Sequence, residues 1–261
     1  MLVTGGSGYL GRELLRRADS AVGTYLNSRL DGGVRLDVRS APDVARAVAG
    51  HSAVVHTAYV QDDPQVIVDG SVNVATACVA AGARLVHVST DVVFDGAFGR
   101  PYREEDPPAP VTDYGRAKLV AERAVARLVP DALVVRTSLI YGGPEPSRHE
   151  RDALDGGTAF FTDELRSPVH VGDLAAALLE LAGLEERGLL HVAGADSVSR
   201  YEFARLVVAA RGGDPERVRS ASFRSLGLDR PADCTLDSSR AQGVLTTRLR
   251  GVHEVLANAA S

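Results

Sequence analysis

The 261-residue chain reads as an α/β protein: a doubly wound parallel sheet with helices on both faces, followed by a smaller α+β lobe. Three observations predict this. Short apolar runs, several of them β-branched, alternate with helix-length stretches through the first 137 residues. The runs are near-continuous rather than alternating, which suits strands buried on both faces. The rhythm then breaks at Gly142, Gly143, Pro144 and Pro146, a loop that continues no regular element.

In order, strands are expected at residues 1–3, 21–26, 34–36, 53–56, 84–88 and 132–136. Helices are expected between them at 9–18, 42–49, 64–81 and 113–129. Pro42 and Pro64 stand near helix starts, where a missing N–H costs nothing, and Gly82 stands at a helix stop. A β-α-β-α order of this kind builds a parallel sheet. Beyond the break, short strands at 158–161 and 189–192 mix with helices at 172–184, 200–211 and 251–259. The expected division is residues 1–141, with later segments returning to the sheet, and 142–261, mainly a second lobe.

Composition narrows the function classes. Lys and Arg number 29 against 34 Asp and Glu, a net charge of −5, whereas a general nucleic-acid binder carries a basic surplus. No apolar run approaches the roughly 20 residues that span a bilayer. Gly-rich sequence starts at Gly5, so no secretory leader is read, and the two cysteines, Cys78 and Cys234, make no disulfide framework. A cytoplasmic setting follows as the expectation. The seven histidines lack metal-ligand spacing, so no metal site is expected.

Residues Met1-Leu2-Val3-Thr4-Gly5-Gly6-Ser7-Gly8-Tyr9-Leu10-Gly11 pass from the first strand into the first helix. Gly5 permits the tight turn, Gly8 lets backbone approach a pyrophosphate, and Gly11 lets helix pack on strand. Ser7, Tyr9 and Leu10 complete a loop that offers backbone N–H groups and a helix dipole to phosphates. Its position in a βαβ unit makes this a dinucleotide-binding loop of the Rossmann type. The second strand ends Thr24-Tyr25-Leu26-Asn27-Ser28-Arg29, without the carboxylate that holds a free ribose 2′-OH. Ser28 and Arg29 suit a 2′-phosphate instead, favouring NADP(H) while NAD(H) stays open. Asp37 and Val38 follow the third strand and would border the adenine; His56, Thr57 and Ala58 follow the fourth and would line the ribose.

Tyr114 and Lys118 open a predicted helix at i, i+4 and share a face. A free tyrosine has a pKa near 10, and an adjacent ammonium lowers it by stabilising the phenolate. The pair is a tuned acid or base, and Lys118 can also hold the nicotinamide ribose. The fifth strand ends Ser89-Thr90-Asp91 at the carboxyl end of the sheet, where ligands bind. Thr90 is placed to donate to a substrate carbonyl, with Ser89 as the competing hydroxyl.

These motifs resemble the extended short-chain dehydrogenase/reductase family, and within it the dTDP-4-dehydrorhamnose reductase group. The resemblance rests on Thr4 to Gly11, Ser89-Thr90-Asp91-Val92-Val93-Phe94-Asp95-Gly96, Pro101-Tyr102-Arg103-Glu104 and Tyr114-Gly115-Arg116-Ala117-Lys118. It continues through Arg136 to Gly142, Ser167 to Ala175 and Arg230-Pro231, nearly the whole chain. It implies a catalytic trio of Thr90, Tyr114 and Lys118 and NADPH-dependent reduction of a keto group on a nucleotide-linked deoxysugar. The substrate-facing residues would be Thr90, Asp91, Val92, Leu139 and Arg230, the last a cation for a diphosphate or half of an ion pair. Val92 stands where the family commonly has tyrosine, Leu139 where the rhamnose reductases usually carry tryptophan, and 142–168 is short. These departures touch the sugar pocket and leave the cofactor half alone. The same framework serves sugar-nucleotide epimerases and dehydratases. The resemblance also extends to the regulatory β subunit of methionine adenosyltransferase, a cofactor-binding partner protein. A homodimer is compatible with the reading.

Overall fold

The computed structural model describes residues 1–259. The chain runs β1 (Leu2–Thr4), α1 (Tyr9–Arg17), β2 (Val22–Tyr25), β3 (Val34–Arg35), α2 (Ala41–Val48), β4 (Ala53–His56), α3 (Pro64–Ala81), β5 (Arg84–Thr90), α4 (Asp113–Leu128) and β6 (Leu133–Thr137). It continues with β7 (Ile140–Tyr141), α5 (Arg148–Leu154), β8 (Ala159–Phe161), β9 (Leu165–Arg166), β10 (Val169–His170), α6 (Val171–Gly183) and β11 (Gly188–His191). Last come β12 (Val198–Ser199), α7 (Arg200–Ala210), β13 (Arg219–Ala221), α8 (Ser239–Val244) and α9 (Val252–Ala259). Two compact units result. The first is Met1–Thr90, Asp113–Arg136 and Ala175–Leu190; the second is Asp91–Thr112, Thr137–Leu174 and the chain from His191 onward.

The first unit is built on a seven-stranded sheet in the order β11-β6-β5-β4-β1-β2-β3. β1 pairs in parallel with both β2 and β4, so the strand order reverses at β1/β4. β2–β3 and β4–β5 are also parallel. Ligands of open α/β sheets bind outside the carboxyl ends of strands at such a reversal. The doubly wound sheet is therefore the fold class the apolar runs predict. Leu2, Val54, Leu85 and Val134 from the strands pack with Val44, Val48, Val74, Cys78 and Val125 from the helices. Each fully buried aliphatic side chain contributes about 1.5–3 kcal/mol relative to exposure.

α3 shows how local sequence sets the boundaries. Asp63 caps its start by accepting from the N–H groups of Gln65 and Val66, with Pro64 in the first turn. Gly82 ends it in the left-handed region, at φ 62°. Gly70 lets α3 lie against the turn that follows β3, because a Cβ there would come within 2.6 Å of Val38 Cγ2.

Among the described residues the second unit holds three two-stranded ladders: β7–β10 and β8–β13 parallel, β9–β12 antiparallel. Its core gathers Tyr141, Phe160, Phe203, Val207, Val252 and Leu256. Most of these ladders and the helix α5 are not among the elements expected from sequence. Two-residue strands are too short to show a period. α5, by contrast, carries a readable signal: Ser147 and Glu150 form a reciprocal capping box in which Ser147 accepts from the Glu150 N–H and Glu150 from the Ser147 N–H. Among the described residues, no helix is long and apolar enough to cross a membrane.

Candidate active site

The glycine loop joins β1 to α1. Gly5 has φ +70°, and a Cβ on it would stand 2.8 Å from Ala58 Cα. A Cβ on Gly11 would stand 2.2 Å from the Gly5 carbonyl oxygen and 2.7 Å from Gly6 Cα. Backbone cannot yield to such contacts cheaply, so both positions demand glycine. Gly8 is the N-cap of α1, contributes no capping side chain, and is exposed. The helix therefore keeps its first-turn N–H groups, those of Tyr9, Leu10 and Gly11, without a capping side chain from Gly8. Arg12 Nε donates to the Ser7 carbonyl at 2.9 Å and braces the loop. This bare-backbone cradle at a helix N-terminus fits the diphosphate of a dinucleotide.

Ser28 and Arg29 are exposed beyond β2. Asp37 is held by Arg39 at 2.7 Å, and that guanidinium keeps the Asp37 carboxyl below its usual range. Arg39 also reaches Asp63 at 3.4 Å. Val38 is buried under Gly70, and its carbonyl accepts from Asn73 Nδ2 at 3.0 Å. Asn73 donates to the Arg39 carbonyl as well, so its amide clamps this loop.

At the end of β4, Thr57 Oγ1 donates to the Thr4 carbonyl at 2.7 Å, and Thr57 and Ala58 remain partly accessible beside Gly5. The imidazole of His56 points into the unit. It lies 2.6 Å from Thr4 Oγ1 through Nδ1 and 3.2 Å from Ser71 Oγ through Nε2. Ser71 already donates to the Ile67 carbonyl at 2.5 Å, so its oxygen accepts from Nε2–H and Thr4 donates to Nδ1. Burial, with the Lys118 charge second, depresses the His56 pKa to about 3 and holds it neutral. Any ribose contact at this position would use main chain.

α4 presents Tyr114 and Lys118 one turn apart. Tyr114 is half-buried, its ring 5.8 Å from that of Tyr59. Lys118 is buried, and its Nζ donates to the Val88 carbonyl of β5 at 2.7 Å. Burial lowers its pKa to about 8, opposed by the Glu122 charge one turn on. The ammonium is thus the protonated form at neutral pH but easily discharged above it.

Sequence reasoning missed what stands behind this lysine. Glu122, 4% exposed, pairs with Arg136, 2% exposed, at 2.8 Å, and accepts from Ser89 Oγ. Ser89 is therefore committed to Glu122, while Thr90 ends β5 at 9% exposure. His87, the register partner of His56, is fully buried, its ring 5.3 Å away. Burial holds it neutral too.

The remaining candidates lie in the second unit. Asp91 is buried, accepts from Ser138 Oγ at 2.6 Å and lies 3.6 Å from Arg166. Val92 and Leu139 are half-buried. Arg230 pairs with buried Glu164 at 2.7 Å, and its guanidinium stands over Phe161, 5.2 Å from the ring centre. His170 is structural: its Nε2 meets the Gly142 carbonyl at 3.0 Å and its Nδ1 meets Arg250 at 3.2 Å. Of the two cysteines, Cys78 lies on α3 of the first unit, a buried free thiol pushed up to about 12 by burial, and Cys234 in the second unit is also buried and free. Among the described residues, no group of three or more His, Cys, Asp or Glu could hold a metal ion.

Comparison with known proteins adds a family. The model of the RmlD substrate binding domain matches residues 1–261. A dTDP-4-dehydrorhamnose reductase of Mycolicibacterium smegmatis is 37% identical over 279 residues, covering 99% of this chain and 84% of that protein. The crystal structure of a hypothetical dTDP-4-dehydrorhamnose reductase from Sulfolobus tokodaii superposes with a TM-score of 0.83 at 30% identity, covering 95% of this chain and 96% of that one. A Bacillus anthracis dTDP-4-dehydrorhamnose reductase, solved in complex with NADP, shares the fold with a TM-score of 0.84 at 24% identity, covering 98% and 96%.

Proposed function

Because the chain belongs to the RmlD substrate binding domain family, we propose that it uses NADPH to reduce a keto group on a nucleotide-linked deoxysugar. The observation that carries this reading is the Tyr114/Lys118 pair on α4, with the Lys118 ammonium anchored on the Val88 carbonyl near the end of β5. Relatives named as sugar-nucleotide keto-reductases support it, among them a dTDP-4-keto-6-deoxy-D-glucose reductase of Streptomyces niveus at 33% identity.

Gly5, Ser7, Gly8, Tyr9, Leu10 and Gly11 would hold the cofactor diphosphate. Ser28 and Arg29 would take the 2′-phosphate, and Thr57, Ala58 and the backbone of His56 would border the ribose. Bound there, NADPH supplies a hydride for the carbonyl carbon. The chain's own work is proton transfer and polarisation. The Tyr114 hydroxyl donates its proton to the forming alkoxide oxygen. Lys118, charged at neutral pH because its pKa stays at about 8 despite burial, stabilises the phenolate left behind. Thr90 donates a hydrogen bond to the same oxygen and polarises the carbonyl. Glu122 and Arg136 do not touch substrate; they hold α4 against β5 and β6 so that Lys118 keeps its place. The two free cysteines fit a reducing, cytoplasmic setting.

The test is NADPH oxidation with a dTDP-4-keto-6-deoxyhexose, run beside NADH and beside Tyr114→Phe. The expected result is NADPH-preferring turnover that falls about 10²- to 10⁴-fold in the variant. Normal turnover by Tyr114→Phe would refute the proton-donor assignment. Conversion of the sugar without net NADPH consumption would make the protein an epimerase or dehydratase.

A further inference from the structure

The second unit gathers three arginines and two carboxylates in one polar group. Arg166 shares Asp91 at 3.6 Å and Glu164 at 2.9 Å, and Arg230 shares Glu164 at 2.7 Å. Arg200 joins them through the β9–β12 ladder: its N–H donates to the Glu164 carbonyl at 2.9 Å. Its guanidinium is differently placed. Among the described residues no carboxylate pairs with it, and its Nε is buried with no hydrogen-bond partner. Among the described residues its one side-chain partner is a neutral ring, His149 Nδ1, at 3.2 Å from a terminal nitrogen.

Three guanidinium groups face two carboxylates, which leaves one positive charge in excess. A buried guanidinium N–H without an acceptor carries a desolvation cost that an anion would remove. The ring of His149 reports the same thing. Since its Nδ1 accepts from Arg200, its proton sits on Nε2, a second donor that no described residue accepts. A planar guanidinium fork beside an imidazole N–H suits two oxygens of one anionic group.

We infer that Arg200 and His149 form an oxyanion site in the second unit, with Arg200 as its charged arm, and that it takes a phosphate or carboxylate oxygen of the substrate. The identity of its ligand rests on the nucleotide-sugar reading, in which the anion is the nucleotide diphosphate or an acid group on the sugar. Arg200 follows the N-cap Ser199 at the start of α7, and His149 lies in the first turn of α5, so two short elements present the donors rather than a mobile loop.

The test is calorimetric binding of thymidine, dTDP, UDP-glucose and UDP-glucuronic acid to the wild type, Arg200→Gln, Arg200→Lys and His149→Ala, with NADPH oxidation followed in parallel. One lost charged hydrogen-bond pair is expected to weaken the anion by about 10- to 100-fold. A loss for dTDP and both UDP-sugars, with thymidine unchanged and partial rescue by Arg200→Lys, supports the site and identifies the diphosphate. A loss confined to UDP-glucuronic acid supports it and identifies a sugar carboxylate. Equal binding of every probe by the wild type and Arg200→Gln overturns it, as does a fall in thermal stability with affinities unchanged. If Arg200→Gln fails to fold, His149→Ala and Arg200→Lys decide by the same criteria. Anion binding that depends on Arg200 in a protein without keto-sugar turnover would remove the reductase reading and leave the oxyanion site standing. In turnover, the loss is expected in KM rather than in kcat, because the site holds a group remote from the reacting carbonyl.

Discussion

Replacing Glu122 by Gln removes one charge and almost no volume. The carboxylate is 4% exposed, grips Arg136 through both oxygens at 3.1 and 2.8 Å, and accepts from Ser89. Arg136 is itself only 2% exposed, so the substitution leaves a buried guanidinium without its counter-charge. Breaking a buried pair in this way costs about 3–5 kcal/mol. For a chain of this size that corresponds to a fall in Tm of roughly 6–20 °C. The same change acts on Lys118, whose pKa of about 8 is the balance of burial pulling down and Glu122 pulling up. Without Glu122 the ammonium loses its proton at lower pH. The alkaline limb of kcat/KM should move acid-ward. Urea unfolding at pH 7 and pH–rate profiles of both proteins make the assay. A stability loss below about 1 kcal/mol would refute the claim that this pair sits in a low-dielectric environment. An unmoved alkaline limb would refute the electrostatic link to Lys118. As a control, the double variant Glu122→Leu/Arg136→Met should recover most of the stability, because neither charge is then left buried alone.

Four further outcomes are expected. Gly11→Ala drives a Cβ to 2.2 Å from the Gly5 carbonyl oxygen, so it should abolish measurable NADPH binding by fluorescence titration and lower Tm. Lys118 is depressed from 10.5 to about 8, so the unfolded chain holds more protons between those values and this group's contribution to stability rises with pH there; in Lys118→Met that rise should vanish from a pH series of unfolding curves. His253 meets Asp196 at 2.9 Å and Glu202 at 3.1 Å, and the Asp196 hydrogen bond leads in raising its pKa above 6.5; the stability it adds is complete below that value and is lost as pH rises through the folded pKa, a dependence that His253→Asn should remove from a Tm-versus-pH series. Asp173 accepts from Arg250 through its side chain at 2.7 Å and its backbone N–H at 3.1 Å, so Asp173→Asn should destabilise by about 1–3 kcal/mol in urea unfolding.

Much of the architecture was legible because it is encoded locally. The near-continuous runs at Leu85-Val86-His87-Val88 and Leu133-Val134-Val135 suit strands buried on both faces of a parallel sheet, and Pro64 and Gly82 mark the two ends of α3. The glycine loop was equally readable, since Gly5 and Gly11 answer to backbone contacts within one βαβ turn. The Tyr114/Lys118 pairing needed only the helical period. The Ser147–Glu150 capping box that starts α5 was also available in the sequence and went unread.

What sequence alone determined about this protein is the class of fold, the glycine loop between β1 and α1 and the one-turn spacing of Tyr114 and Lys118 on α4, because each depends on neighbours within about one turn or one βα unit. The tertiary structure decided the rest, because it depends on charges brought together across long separations. Ser89, Glu122 and Arg136 are 33 and 14 residues apart, yet they form one buried group that commits Ser89 and sets a carboxylate charge near Lys118. Arg200 lies 51 residues from His149 and owes its unpaired charge to carboxylates already taken by Arg166 and Arg230. No periodicity announces such arrangements. Burial strengthens electrostatic interactions steeply with lowered dielectric, and burial is set only when the whole chain has packed.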